Sequence, residues 1–358
     1  MRAILALENG SIYKGRSIGV EGERTGWVTF YSGIVGYQEI ITTPANAGKI
    51  IVMGYPLIGN YGAAKKFSET KKCWIEGMLI KEKSRIISNW QAEESFSAFL
   101  KRKKVLAMEG IDTRTLMVEL RDDGEQFGIF STLDFNASAL KRKIKKAKNE
   151  EPDFIKKISV KKITDLSYRG LKTAILDLGV TNSFLIQLKS LSCRIKLLPY
   201  NIGCPDLLKL SPKCLIISDG PEKDKNLPIV VNTVKQLLGK IPIFGLGTGC
   251  QVLAMAMGAK IERMHLGHHG LNYPVLKPDS LKGEITVQNH SYRIDEGSLK
   301  GKGVEITWRN INDRSVEGIR NRKLKVFGCQ FYPASPGPGE VNPVLAEFID
   351  KIKGTSNA

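Results

Sequence analysis

The chain of 358 residues is poor in the side chains that most enzyme chemistry draws on, with four histidines and six cysteines. Three histidines crowd into positions 265, 268 and 269 and the fourth is His290, so imidazole chemistry has few places to sit. Cys73, Cys193, Cys204, Cys214, Cys250 and Cys329 are scattered without a C-x-x-C pair, which argues against a disulfide framework and against a zinc ribbon. A reducing, cytosolic setting is the expectation. No run of eighteen apolar residues exists, and Glu8 interrupts the N-terminus before a signal-peptide core could be completed, so a membrane span and secretion are disfavoured. Acidic residues are also in deficit, 36 against 54 basic, for a net charge of +18. The excess is mostly lysine and spread out. Its densest stretches, 141–162 and 101–104, lack the interleaved aromatics of a base-stacking surface, so a solvated face is expected and a nucleic-acid partner is not.

The length suits two domains. Up to about Leu140 the chain reads as short strands and turns, with strands expected over Ala3–Leu7, Ile12–Tyr13, Trp27–Tyr31 and Ile50–Met53 and glycines recurring between them. This predicts a β-rich domain over residues 1–145. A basic linker is expected over 146–170, where Asn149-Glu150-Glu151-Pro152-Asp153 interrupts the lysines. From 171 to 358 apolar runs alternate with helical stretches. Strands are expected at Thr173–Leu178, Arg194–Leu198, Cys214–Ser218 and Ile241–Leu246, and helices at Asn182–Leu191, Pro228–Leu238 and Cys250–Met257. Strands apolar throughout and separated by amphipathic helices predict a doubly wound α/β sheet covered on both faces. Further strands are expected at Glu284–Gln288, Val304–Trp308 and Lys325–Phe331, then a helix over Pro343–Lys353.

In such a sheet the working site lies beyond the carboxyl ends of the strands. Two turns qualify, Ser218-Asp219-Gly220-Pro221-Glu222 and Gly245-Leu246-Gly247-Thr248-Gly249-Cys250-Gln251. The second joins a buried strand to a small-residue helix through alternate glycines, the pattern of a nucleophile elbow. It lacks the G-x-G-x-x-G spacing of a dinucleotide loop.

The chain resembles the small, glutamine-amidotransferase subunit of carbamoyl-phosphate synthase over essentially its whole length. The N-terminal half carries Gly36-Tyr37-Gln38-Glu39-Ile40, Tyr55-Pro56-Leu57-Ile58-Gly59-Asn60-Tyr61-Gly62 and Gly110-Ile111-Asp112-Thr113-Arg114. The C-terminal half carries Pro242-Ile243-Phe244-Gly245, the run Gly267 to Val275, Gln288-Asn289-His290 and Ser335-Pro336-Gly337-Pro338. The resemblance implies a class I amidotransferase-like C-terminal domain. It also implies a large-subunit partner that holds ATP and magnesium, and ammonia release from glutamine through a cysteine thioester, with a histidine base oriented by a carboxylate.

This chain departs from that pattern where the chemistry sits. The family elbow reads G-x-C-x-G-H-Q and here Gly247 holds the nucleophile position; H-P-E-A-S-P-G-P becomes Tyr332-Pro333-Ala334-Ser335-Pro336-Gly337-Pro338, with Tyr332 and Ala334 at the base and orienter positions. By resemblance the glutamine pocket falls on Ala45, Gly220, Glu222, Thr248, Gln251, Asn289, Ser291 and Tyr292, several of them changed, with Glu222 where the family has glycine. The leading expectation is a pseudo-glutaminase that supports an ammonia-dependent synthase in the cytoplasm, serving arginine or pyrimidine synthesis. Two alternatives stand beside it: glutamine hydrolysis through an unforeseen nucleophile such as Cys250, and a repurposed pocket lined by Asp219, Glu222 and Tyr332 that takes another small, cationic ligand. Cys250 lies one helical turn past the elbow, so its sulfur should point back along the helix. His290 is expected to be packed and hydrogen-bonded, and no metal is expected at His265, His268 and His269, which lack a cysteine or carboxylate at ligand spacing.

Overall fold

A computed structural model of the chain describes residues 1–278, 280–337 and 339–356. It comprises two compact units, Met1–Pro152 with His265–Gly270, and Asp153–Met264 with the chain from Leu271 onward. Among the described residues no helix is long and apolar enough to cross a membrane.

The first unit is built on a closed barrel whose neighbours run Arg2–Leu7, Ile12–Ser17, Ala107–Glu109, Gly77–Leu79, Lys49–Met53, Glu23–Tyr31 and Gln126–Ser131, closed by antiparallel pairing of the first and last. Alternation sorts the side chains: Ala3, Leu5 and Leu7 join Val28, Ile50, Val52 and Phe130 in one core. Ile4 and Ala6 on the opposite face pack with Ile129, Leu140 and Ile144. Leu140 and Ile144, four residues apart, belong to the helix Ala137–Lys148, whose start Asn136 caps by accepting from the Ala139 N–H at 3.0 Å. This helix reaches only the first three residues, 146–148, of the expected linker. Much of the lysine-rich run is the solvated face of an amphipathic helix, and the apolar residues among the lysines are its seam. Further on, Ile155 is fully buried in the core of the second unit, and the Asp224 carboxylate accepts from the Phe154 N–H at 2.5 Å and the Ile155 N–H at 3.0 Å. Within 146–170, therefore, several backbone positions are tied into packed structure.

The second unit is an α/β domain around a ten-stranded sheet. The strands Cys193–Pro199, Leu171–Asp177, Cys214–Ile217, Ile243–Leu246 and Val326–Cys329 lie side by side and parallel. Val316–Asn321, Gly283–Ile294, Ile261–Leu276 and Glu305–Asn310 extend the sheet beyond them. Two apolar layers cover the faces: one includes Leu207, Val230, Val234, Val252 and Leu253 from three helices, the other Phe184, Leu188, Leu345, Phe348 and Ile349 from two. The doubly wound arrangement expected for residues 171–358 is present, because each central strand must bury both faces.

Candidate functional site

The two turns singled out in the sequence meet at the carboxyl ends of Cys214–Ile217 and Ile243–Leu246. The strand ends at Leu246 and the helix Thr248–Ala256 begins at once, leaving Gly247 to make the bend at φ +54° and ψ −117°. A residue with a Cβ is strained there, which is the backbone character of an elbow. Gly245 and Gly249 are needed for a different reason. A Cβ on Gly245 would lie 2.5 Å from the Gly249 carbonyl oxygen, and one on Gly249 would lie 2.2 Å from that of Ile217. Helix and sheet approach too closely for anything larger.

The space above Gly247 is taken. A Cβ built there would fall 2.2 Å from Asp219 Oδ1. That oxygen accepts from the Gly220 N–H at 2.8 Å and from the Thr248 N–H at 3.0 Å, so the carboxylate caps the start of the helix. The Thr248 hydroxyl donates to the Gly220 carbonyl at 2.7 Å and locks the two turns together. A negative charge on exposed N–H groups at a helix start is favourable, and here the protein's own side chain supplies it.

Glu222 makes a second closure. Its Oε1 accepts from Gln251 Nε2 at 2.9 Å and from the Tyr292 N–H at 3.0 Å, while Oε2 accepts from the Ser291 N–H at 2.7 Å. Gln251 is almost fully buried and its amide also lies 3.3 Å from the Tyr292 carbonyl and from Gln330 Oε1. Gly220 and Thr248 thus share one set of hydrogen bonds with Asp219, and Glu222, Gln251, Ser291 and Tyr292 form a second. Asn289 is half-buried on the same strand as Ser291 and Tyr292, and Ala45 is buried in the short helix Pro44–Asn46 of the barrel unit.

The other candidates are occupied elsewhere. The Tyr332 hydroxyl lies 2.8 Å from Thr181 Oγ1 and 2.7 Å from Ser183 Oγ, and Ala334 is a half-buried residue whose carbonyl accepts from Asn342 Nδ2 at 3.0 Å. Cys250 is fully buried, and a Cβ on Gly328 of the neighbouring strand would lie 2.9 Å from its sulfur. Burial, reinforced by the charge of Glu317, pushes its thiol far above the ordinary range. A thiol held this way is a poor nucleophile. His290 is buried with Nδ1 donating to the Tyr292 carbonyl at 2.9 Å, and Nε2 facing Gln288 Oε1 at 2.9 Å and Glu317 Oε2 at 3.5 Å. In the barrel unit His269 Nε2 is 3.0 Å from Glu125 Oε1, both buried, and His265 Nε2 is 3.2 Å from the Asp122 carbonyl. His268 is buried as well. Burial alone would raise the Glu125 carboxyl. The hydrogen bond and charge of His269, with Lys49 and Thr29, outweigh it and bring the carboxyl down to about 2.

Sequence reasoning missed Asp224 and Asn226. They pin the segment before the first strand of the second unit, Asn226 Nδ2 donating to Asp153 Oδ1 at 2.8 Å and to Asp224 Oδ1 at 2.6 Å. Nothing in their spacing signalled it, because the partners are about seventy residues away.

Comparison with known proteins agrees with this architecture. The family "Carbamoyl-phosphate synthase small chain, CPSase domain" matches residues 5–130, and "Glutamine amidotransferase class-I" matches residues 174–351. The carbamoyl phosphate synthase small chain of Clostridium acetobutylicum is 34% identical, with 98% of this chain and 100% of that protein covered. The chain belongs to the carbamoyl-phosphate synthase small-chain family. The pyrimidine-specific small chain of Bacillus subtilis is also 34% identical, over 99% of this chain and 97% of its own length. A solved structure of the glutaminase domain of Trypanosoma brucei CTPS, with bound acivicin, matches with a TM-score of 0.41 at 14% identity, covering 51% of this chain and 94% of that one. The small-chain match lies within the barrel unit, and the amidotransferase match coincides with the α/β domain that carries the elbow.

Proposed function

We propose that this small chain has lost the glutaminase step and acts as the companion of a large synthase subunit that makes carbamoyl phosphate from bicarbonate, ATP and free ammonia. The observation that carries this reading is the elbow: Gly247 offers no side chain, and the Asp219 carboxylate occupies the volume in which one would stand. A thioester route needs an exposed thiolate beside N–H donors and an imidazole in reach. Here Thr248 N–H donates to a carboxylate, Cys250 is buried in the helix core, and His290 Nδ1 commits its proton to a carbonyl. Tyr332 and Ala334 supply neither a base nor an orienting carboxylate. ATP and magnesium would be held by the large subunit, in the cytoplasm, and the product would enter arginine or pyrimidine synthesis.

Co-expression with the large subunit tests the reading. A stable complex should form carbamoyl phosphate from ammonium, bicarbonate and magnesium-ATP and fail with glutamine as nitrogen source. A chain that never co-purifies with a large subunit would contradict the partnership, and glutamine-driven synthesis would contradict the lost step.

A further inference from the structure

We infer that Glu222 is a built-in ligand: its side chain fills a carboxylate-binding site formed by the Ser291 N–H, the Tyr292 N–H and Gln251 Nε2, and keeps free carboxylates out. Three donors from two separate segments converge on the two oxygens of one carboxylate at 2.7, 3.0 and 2.9 Å. Such convergence is the stereochemistry by which proteins hold a carboxylate ligand, one donor set per oxygen. Two of the donors are successive backbone N–H groups of the strand Gly283–Ile294, supplied by the main chain and not by a side chain. The third, Gln251, is fixed by burial on the helix Thr248–Ala256. Glu222 reaches them from the loop after Cys214–Ile217, a loop pinned independently by the Thr248 hydroxyl on the Gly220 carbonyl and by Asp224 on the backbone at Phe154 and Ile155. The donors and the loop are therefore held without the Glu222 carboxylate. Removing it takes one acceptor from each of the three donors and leaves an opening with the shape and donor set of a carboxylate, which a free carboxylate can fill. The ligand class is a small monocarboxylate, including the carboxylate of an amino acid. This inference rests on the pocket assignment made above but not on the loss of glutaminase chemistry.

The test uses the full chain with Glu222→Ala, and Glu222→Gln as a second variant that keeps the volume while removing the charge. Acetate is the first probe and L-glutamine the second, with acetamide and chloride as controls. The wild type should show no carboxylate-dependent change in Tm. Glu222→Ala should melt lower and recover saturably with acetate and with L-glutamine, by about 5 °C or more near saturation, while acetamide and chloride do nothing. If Glu222→Ala fails to fold, the Ser291 and Tyr292 amide resonances of Glu222→Gln should shift with acetate and those of the wild type should not. A folded variant blind to carboxylates, or a wild type that binds acetate as well as the variant does, overturns the inference and leaves the lost glutaminase step standing. A variant that binds glutamine and also releases ammonia keeps the inference and overturns the lost step. Binding without ammonia release supports both.

Discussion

The barrel unit buries a carboxylate, Glu125, and the α/β unit half-buries two, Asp219 and Glu222, and the two units answer them differently. Glu125 in the barrel is paired with a buried imidazole, His269, with Lys49 adding to the field that keeps it ionised. Asp219 and Glu222 in the α/β unit lie on backbone N–H groups and a side-chain amide at the strand ends. The first arrangement is an ion pair whose members need each other. The second is a pair of carboxylates that accept from backbone N–H groups and a side-chain amide of neighbouring segments. The difference teaches what to expect on removal: breaking the barrel pair leaves a stranded charge, and removing an elbow carboxylate leaves a vacant site.

The largest effect should therefore be in the barrel. Glu125→Ala is expected to cost about 3–5 kcal/mol, the usual range for breaking a buried pair from one side, measured by denaturant unfolding. A loss below about 1 kcal/mol, the range of a surface pair, would erase the contrast between the two regions. The pH dependence sharpens it. With its carboxyl held at about 2 in the folded chain against an ordinary 4.5, Glu125 contributes stability that is present above pH 4.5 and lost as pH falls toward 2. The amount is about 3 kcal/mol from the linkage of the shift to stability. Comparing wild type with Glu125→Gln between pH 2 and 5 isolates it, and parallel curves would contradict the ion-pair reading.

At the elbow, Gly247→Ala should cost about 1–3 kcal/mol through positive φ and the collision with Asp219. Pairing it with Asp219→Gly should recover part of that loss, a coupling that a double-mutant cycle reads directly. Gly247→Cys alone should yield no glutaminase activity, since neither base nor orienter accompanies it. The smallest effect is on the outer face of the helix Ala137–Lys148. Lys145→Ala, with its side chain exposed, should change stability by no more than about 0.5 kcal/mol. Leu140→Ala on the seam should cost about 2–5 kcal/mol.

Much of the α/β unit was legible because its signals are local. Fully buried strands and amphipathic helices announce themselves by composition and period. The expected Asn182–Leu191, Pro228–Leu238 and Ile241–Leu246 differ by a residue or two from the observed Asn182–Ser190, Leu227–Leu237 and Ile243–Leu246. Barrel closure was not legible, since short strands such as Gly77–Leu79 and Ala107–Glu109 pair with neighbours far along the chain. The helix Ala137–Lys148 was hidden by its charge, with only Leu140, Ile144 and Ala147 marking the seam among its lysines. The long strand Ile261–Leu276 was hidden by its histidines and glycines. At the site, residue types revealed what the family pattern lacks, a thiol at 247 and an imidazole at 332. They did not reveal what replaces it. That Asp219 lies over Gly247, and that Glu222 reaches Ser291 and Tyr292 some seventy residues away, are facts of three-dimensional approach.

The central claim is that no glutamine is hydrolysed at this elbow. It is tested most directly by incubating the complex of this chain with its large subunit in amide-15N-labelled glutamine, bicarbonate and magnesium-ATP, with free ammonia scavenged. The account predicts no labelled ammonia and no labelled carbamoyl phosphate above the level of the isolated large subunit, and full activity once unlabelled ammonium replaces the scavenger. Labelled carbamoyl phosphate formed at a rate comparable to the ammonium-driven rate would contradict it.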